Sequence, residues 1–225
     1  MTRIYYSYIN RENHDQLLKD FLPNYPKDFQ DKILRYRRWQ DAQLSILGRI
    51  LLRIGLKEMN REGVEKNISY TAYNKPYLKN ESIKFNISHS ENIVVCAISD
   101  VFEIGVDIEL LRNIQVDDFK SQMTLNEWER IILSDNITTS FFDYWTQKEA
   151  IIKADGMGLL ISLKSFEIIN NNAVVNGDSF FTKEIDLDNK YKCHLAFKNK
   201  IDPIIERPSN INILSHTYKY NIFKP

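Results

Sequence analysis

Cysteine is scarce in this chain: Cys96 and Cys193 are the only two. Two thiols so far apart in sequence give no readable disulfide framework or zinc-ligand spacing. An excess of charge of one sign is also missing. The 30 basic and 30 acidic side chains cancel to a formal net charge of +0, which argues against general nucleic-acid binding, since that rests on a basic excess. No run of about 18 apolar residues occurs, the length a membrane-spanning helix needs. Met1-Thr2-Arg3-Ile4-Tyr5 lacks the apolar core of a secretion signal. Glycine and proline are sparse, at 7 and 6 in 225 residues, and no Gly/Ser/Pro linker is present. The expectation is a soluble cytoplasmic protein that packs as one rigid unit, with Cys96 a buried free thiol inside the apolar run Ile93–Ile98.

What is present is a core. Hydrophobic residues make up 43% of the chain. Alternation predicts a strand over Ile4–Ile9, and a short helix follows over His14–Phe21, stopped by Pro23. Apolar spacing predicts helix from Asp28 to Met59. Residues 84–90 look extended. Ile93–Ser99 and Ile104–Leu110 are expected to pair as a hairpin. Ser140 and Asp143 suggest a capping box for a helix through Asp155, with Gly156 and Gly158 at its stop. Strand-like runs follow at Phe166–Ile169, Ala173–Asn176, Phe180–Ile185, Tyr191–Phe197 and Ile211–Leu214, with a turn at Asn170-Asn171-Asn172. This order fits an α+β fold of two halves, 1–110 and 111–225, with the Ile104–Leu110 strand ending the first. A ligand site built from both halves is expected at their junction.

The chemistry concentrates in a few stretches. On a strand Val106, Ile108 and Leu110 point one way, and Asp107 and Glu109 the other. Two carboxylates side by side repel unless a cation sits between them or one is protonated. The plainer reading is the polar face of an antiparallel strand. Further on, Trp145, Glu149 and Lys153 share a helix face. Here the plainer reading is a solvated i,i+4 salt bridge contributing roughly 0.3–0.5 kcal/mol, but a tryptophan seldom joins a solvated stripe. Asn86-Ile87-Ser88-His89-Ser90 supplies donors suited to phosphate oxygens. It lacks the Gly-x-Ser-x-Gly elbow of a serine hydrolase. Lys27, Lys32, Arg35, Arg37 and Arg38 form a basic cluster, read either as a solvated helix face or as the seat of an anionic ligand. Three carboxylates, a lysine and an aromatic together have the composition of a Mg²⁺ site that handles phosphates.

Asn74-Lys75-Pro76, Phe85-Asn86-Ile87-Ser88-His89-Ser90, Gly105-Val106-Asp107-Ile108-Glu109 and Trp145-x-x-Lys148-Glu149-Ala150-x-x-Lys153-x-x-Gly156-x-Gly158-Leu159 occur in that order. In order, spacing and total length this set resembles the 4′-phosphopantetheinyl transferases of the surfactin-synthetase-activator (Sfp) type. The resemblance implies a pseudo-dimer of two similar α+β halves with the active site in the cleft between them. It implies an enzyme that moves the phosphopantetheine arm of coenzyme A to a serine of an apo acyl or peptidyl carrier protein and releases adenosine 3′,5′-bisphosphate. Carried over, Asp107, Glu109 and Glu149 hold Mg²⁺. Lys153 neutralises phosphate charge, and Glu149, or a water it positions, is the base. Ser88 and His89 meet coenzyme A phosphates, Lys75 and Pro76 the adenine nucleotide, and Lys32 and Ser45 the 3′-phosphate. Asn74 stands where many members have glycine, and Phe29 where many place a lysine. The segment Leu111–Met123 is expected to dock the carrier through Leu111, Phe119 and Met123 beside Arg112 and Lys120, against core packing of Phe119 as the plainer account. A monomer serving nonribosomal peptide or polyketide biosynthesis is expected, with no nucleic-acid or membrane partner. The rivals are a Mg²⁺-dependent nucleotide hydrolase and a non-catalytic module that binds coenzyme A or a carrier.

Overall fold

The structure is a computed structural model that describes residues 1–198 and 204–213. The chain opens with β1 (Thr2–Tyr8), α1 (His14–Phe21), α2 (Lys27–Leu34) and α3 (Trp39–Glu58). A small hairpin, β2 (Ile68–Tyr70) and β3 (Pro76–Leu78), precedes β4 (Lys84–Ser90), β5 (Ile93–Ser99) and β6 (Ile104–Leu110). Then come α4 (Leu125–Ile132), α5 (Ile137–Asp155), β7 (Asn172–Val175), β8 (Asp178–Glu184), β9 (Tyr191–Lys198) and β10 (Ser209–Asn210). The expected helix from Asp28 to Met59 is therefore two. The break at Arg35–Arg38 gathers three arginines, whose like charges disfavour adjacent helical turns.

Two four-stranded sheets result, ordered β10-β1-β5-β4 and β6-β9-β8-β7. Each carries one long helix, α3 on the first and α5 on the second. The layers are helix, sheet, sheet, helix, the α+β pseudo-dimer that the motifs imply. Strand β5 is buried along its whole length. Val94, Cys96 and Ile98 pack under α3 with Leu47 and Leu51. Ile93, Val95 and Ala97 face the second sheet and meet Val106, Ile108 and Leu195. Cys96 and Cys193 are both free and buried.

The expected hairpin of β5 and β6 does not form. Strand β5 pairs with β1 and β4, and β6 pairs with β9. The carboxylate strand thus lies in the second sheet, where the sequence reading had it end the first half. Two strands a short turn apart need not pair when each has a longer partner elsewhere. The capping box also lies elsewhere. Thr124 and Glu127 form it at α4, while α5 starts earlier, at Asn136, whose side chain accepts from the Thr139 N–H. Gly156 ends α5 in the left-handed region at φ 92°, and Asn170 and Asn171 turn with positive φ, as expected. No strand forms over Phe166–Ile169. The carbonyls of Leu163 and Phe166 accept instead from Lys148 Nζ at 2.8 and 2.7 Å, and the Ile168 N–H donates to Glu127 Oε1 at 2.8 Å. A buried side-chain pair takes the place of a ladder. Ile211 lies past β10, and Leu214, the end of the last expected strand, lies outside the described residues. No described helix is long and apolar enough to cross a membrane.

Candidate active site

The seam between the sheets is where the chemistry gathers. Strand β6 is an edge strand on the side facing β4, so its outward N–H groups need partners. Side chains of β4 supply them at a period of two. Asn86 Oδ1 accepts from the Val106 N–H at 2.9 Å, and Ser90 Oγ from the Leu110 N–H at 3.1 Å. Between them Ser88 donates to Asp107 Oδ1 at 3.0 Å, and Ser90 also donates to Glu109 Oε2 at 2.8 Å. The motif Asn86-x-Ser88-x-Ser90 is therefore the zip that joins the two halves. It also aims both carboxylates of β6 toward the opening.

Gly105 brings the helix in. A Cβ there would overlap the Ala150 carbonyl oxygen and Ala154 nitrogen, and lie 2.9 Å from the carbonyl carbon of Lys153. Strand and helix backbones touch because this residue has no side chain. The close approach sets Lys153 Nζ 2.6 Å from Asp107 Oδ1 and 2.9 Å from Ser88 Oγ, with the Val106 carbonyl at 3.2 Å. Ile87, Ser88, His89, Asp107, Glu109, Trp145, Glu149 and Lys153 line a cleft of about 320 Å³. A neighbouring pocket of about 240 Å³ shares Ile87, Glu149 and Lys153 and runs on to Tyr73, Asn74, Lys75, Pro76 and Gly156.

Electrostatics mark the same residues. Burial raises the Glu149 carboxyl above the ordinary range, and Asp107 raises it further. Burial raises Glu109 too; its bond from Ser90 offsets part of this, and Asp107 adds to it. Asp107 is 4% exposed, and its Oδ2 is buried without a hydrogen-bond partner. A buried, orphaned carboxylate oxygen is costly unless a cation meets it. Three acids, one with a spare buried oxygen, fit a hard divalent cation, which takes oxygen ligands. Their oxygens are spread around the cleft. Among the described residues the histidine and carboxylate group whose ligand atoms lie within 4.8 Å of one another is a different one, Asp143, Glu184 and His194.

The other expected residues fall in several places. Ser88 and His89 both line the cleft. The Ser88 hydroxyl is already engaged by Asp107 and Lys153, while His89 points to the opposite face and stands exposed. Partial desolvation where the ring meets the cleft wall, and then Lys153, hold it below the usual imidazole range. The Lys75 ammonium bonds the Ala154 carbonyl at 2.9 Å and Glu103 at 3.3 Å. It thus caps the end of α5, and burial holds it below the ordinary lysine range. Pro76 lines the second pocket beside it. Lys32 is exposed on α2, Ser45 is half-buried on α3, and neither lines these two pockets. Asn74 takes φ 63°, a left-handed turn that asparagine tolerates, so the conformation a glycine would supply is kept. Phe29 is a core residue with the Arg49 guanidinium 4.8 Å above its ring.

Met123 is buried, and Phe119 packs on Phe141 and Trp145 at ring separations of 5.2 and 5.3 Å. The core-packing account of Phe119 is the observed one. Because Trp145 lines the cleft, Phe119 also pins this segment beside the opening. Sequence reasoning missed the pair beneath it. Lys148 and Glu127 are both fully buried, 2.9 Å apart. The available signal was Lys148 itself, on the inward face of a helix whose Glu149 and Lys153 face the cleft.

The family model described as the 4′-phosphopantetheinyl transferase superfamily matches residues 103–200, and one described as 4′-phosphopantetheinyl transferase, N-terminal, matches residues 14–100. The chain belongs to the 4′-phosphopantetheinyl transferase superfamily. The two matches divide it between β5 and β6, where the sheets divide. The chain is 38% identical over 152 residues to the 4′-phosphopantetheinyl transferase gsp of Aneurinibacillus migulanus, covering 66% of this chain and 63% of that one. It is 29% identical over 170 residues to the 4′-phosphopantetheinyl transferase Sfp of Bacillus subtilis (strain 168), covering 74% and 75%. The L-aminoadipate-semialdehyde dehydrogenase-phosphopantetheinyl transferase of Mus musculus is 26% identical over 155 residues, covering 61% and 50%. A phosphopantetheinyl transferase of the Sfp type accounts for a cleft that combines three carboxylates with a lysine.

Proposed function

We propose that this transferase moves the 4′-phosphopantetheine arm of coenzyme A onto a serine hydroxyl of an apo acyl or peptidyl carrier protein, releasing adenosine 3′,5′-bisphosphate. The observation that carries the reading is the junction of Lys153 with Asp107, 2.6 Å apart, in a cleft that Glu109 and Glu149 complete. A non-catalytic binding module has no need of that convergence.

In this reading Asp107, Glu109 and Glu149 hold Mg²⁺, which supplies Lewis-acid neutralisation of the pyrophosphate oxygens when bound. Lys153 adds a second positive charge in a cleft of reduced dielectric, where it stabilises charge growing on the leaving phosphate. Glu149 takes the serine proton directly or through a water. Its raised pKa brings it closer to neutrality, which suits a base. The serine oxygen bonds to the pantetheine phosphorus, the bond to the bridging pyrophosphate oxygen breaks, and adenosine 3′,5′-bisphosphate leaves. Ser88 holds Lys153 and Asp107 in place, and the exposed His89 is our candidate for a coenzyme A phosphate. Pro76 and the aliphatic stem of Lys75 wall the nucleotide pocket. Lys32 and Ser45, on the helices of the first half, are our candidates for the 3′-phosphate. The carrier approaches over the Leu111–Met123 segment, which Phe119 holds at the mouth. One chain supplies both walls of the cleft, so the reading has a cytoplasmic monomer at work, serving nonribosomal peptide or polyketide synthesis.

The test is to incubate the protein with coenzyme A, Mg²⁺ and a panel of apo carriers, and to weigh the carriers. One phosphopantetheine should be added at a single serine, with equimolar nucleotide released and with complete loss in excess chelator. Nucleotide release without carrier modification would select the hydrolase, and binding with neither product the non-catalytic module.

A further inference from the structure

On the same face of the second sheet as Asp107 lies a second polar cluster that the transfer chemistry does not use. His194 stands opposite Asp107 in the β6–β9 register and opposite Glu184 in the β8–β9 register, and Asp143 of α5 covers them. Ligand atoms of Asp143, Glu184 and His194 all lie within 4.8 Å of one another. His194 is 3% exposed. Its Nδ1 meets Thr146 Oγ1 at 2.8 Å, and that hydroxyl gives its one proton to the Phe142 carbonyl at 2.7 Å. Assigning the Thr146 proton to that carbonyl makes Nδ1 the donor and leaves the lone pair on Nε2. That lone pair faces Asp143 Oδ1 at 3.8 Å, beyond hydrogen-bond distance. A lone pair aimed at a carboxylate oxygen is a repulsive contact that a cation between them would relieve.

The surroundings are those of ligands already held in place. Gln147 Nε2 donates to Asp143 Oδ2 at 2.9 Å, and Thr182 fixes the Gln147 amide through its Oε1 at 2.7 Å. This leaves Asp143 Oδ1 facing His194 Nε2 and the Lys192 ammonium. A histidine that donates its far N–H, and a carboxylate hydrogen-bonded on its outer oxygen, are the outer contacts that orient metal ligands. The Lys192 ammonium now balances the acids, 3.3 Å from Asp143 and in contact with Glu184.

We propose that Asp143, Glu184 and His194 form a second divalent-cation site, selective for borderline metals such as Zn²⁺ or Co²⁺, and that Lys192 competes with the ion for it. One imidazole and two carboxylates favour such ions over Mg²⁺, which prefers an all-oxygen shell. Bonds of about 2.0–2.1 Å place tetrahedral donors roughly 3.3 Å apart, so the His194–Asp143 pair at 3.8 Å closes by about half an ångström and the widest pair by up to about 1.5 Å once Lys192 swings aside. A bound ion would clamp the first half of α5 to β8 and β9.

The full chain is titrated with Co²⁺ and then Zn²⁺ in saturating Mg²⁺, read by visible absorption of the cobalt form and by calorimetry. One equivalent should bind. Glu184→Gln, at a half-exposed position that folding tolerates, and Asp143→Asn should each weaken it at least tenfold. Lys192→Met should tighten it, and Asp107→Asn should leave it unchanged. No saturable binding in the wild type overturns the proposal, as does Glu184→Gln binding like wild type or Asp107→Asn abolishing the signal. None of these readouts depends on transfer activity, so the site stands or falls apart from the proposed reaction.

Discussion

Gly105→Ala tests how the two halves of the site are brought together. In a strand, alanine by itself is favoured over glycine by roughly 0.5–1 kcal/mol, so propensity alone predicts a gain. The packing predicts the opposite. The new Cβ overlaps two backbone atoms of α5, and its mildest clash, with the Lys153 carbonyl carbon, is 2.9 Å against an ordinary contact of 3.4 Å or more. No side chain can turn away, because all three atoms are main chain. The helix must retreat by at least about half an ångström, and more to clear Ala150. Overpacking of this kind costs about 1–3 kcal/mol. It also carries Lys153 and Glu149 away from Asp107, and a displacement of about 1 Å at a reacting centre can cost about 10²-fold in rate. Denaturant unfolding and single-turnover transfer to an apo carrier measure the two effects. The variant should be less stable and lose far more activity than stability explains. A variant as stable and as active as the wild type would refute the claim that this glycine sets the strand–helix distance.

Lys153→Ala should lower kcat about 10²- to 10³-fold, with a smaller rise in KM for coenzyme A, because its charge matters most as the leaving phosphate forms; steady-state kinetics read the split. Glu149→Gln should raise Tm at neutral pH when measured in chelator. The folded state holds the Glu149 proton more readily than the unfolded chain, so stability is lost as pH rises through the raised pKa, and the variant's advantage should vanish in acid below the ordinary carboxyl range. Lys148→Met should cost about 3–5 kcal/mol in denaturant unfolding, because it strands the buried Glu127 carboxylate; replacing both partners by apolar residues should recover much of that.

Period-two patterning placed Asp107 and Glu109 on one face of β6, and helical spacing placed Trp145, Glu149 and Lys153 on one face of α5. Both readings are local, and both hold. What strand β6 pairs with was not legible. Burial of β5 on both faces and the long β9 partner decide it, and neither lies near Ile104 in the sequence. The role of Asn86, Ser88 and Ser90 as a zip between edge strands needed β6 beside them in space. The extended reading of Phe166–Ile169 failed for a similar reason: Lys148 and Glu127, far from that segment in sequence, take its hydrogen bonds. The Arg35–Arg38 break was visible as charge but read as part of a longer apolar stripe. Lys75 was expected at the nucleotide, and its ammonium is engaged by the end of α5, a contact that only the fold creates.

The most direct test of the account is intact-mass measurement of an apo carrier after reaction with coenzyme A and Mg²⁺, with wild type and Asp107→Asn side by side. Wild type should add one phosphopantetheine per carrier. The variant should show the same circular dichroism and thermal cooperativity yet add none over many wild-type turnover times. A folded Asp107→Asn protein that modifies the carrier at the wild-type rate would contradict the claim that the seam between β4, β6 and α5 is where transfer occurs.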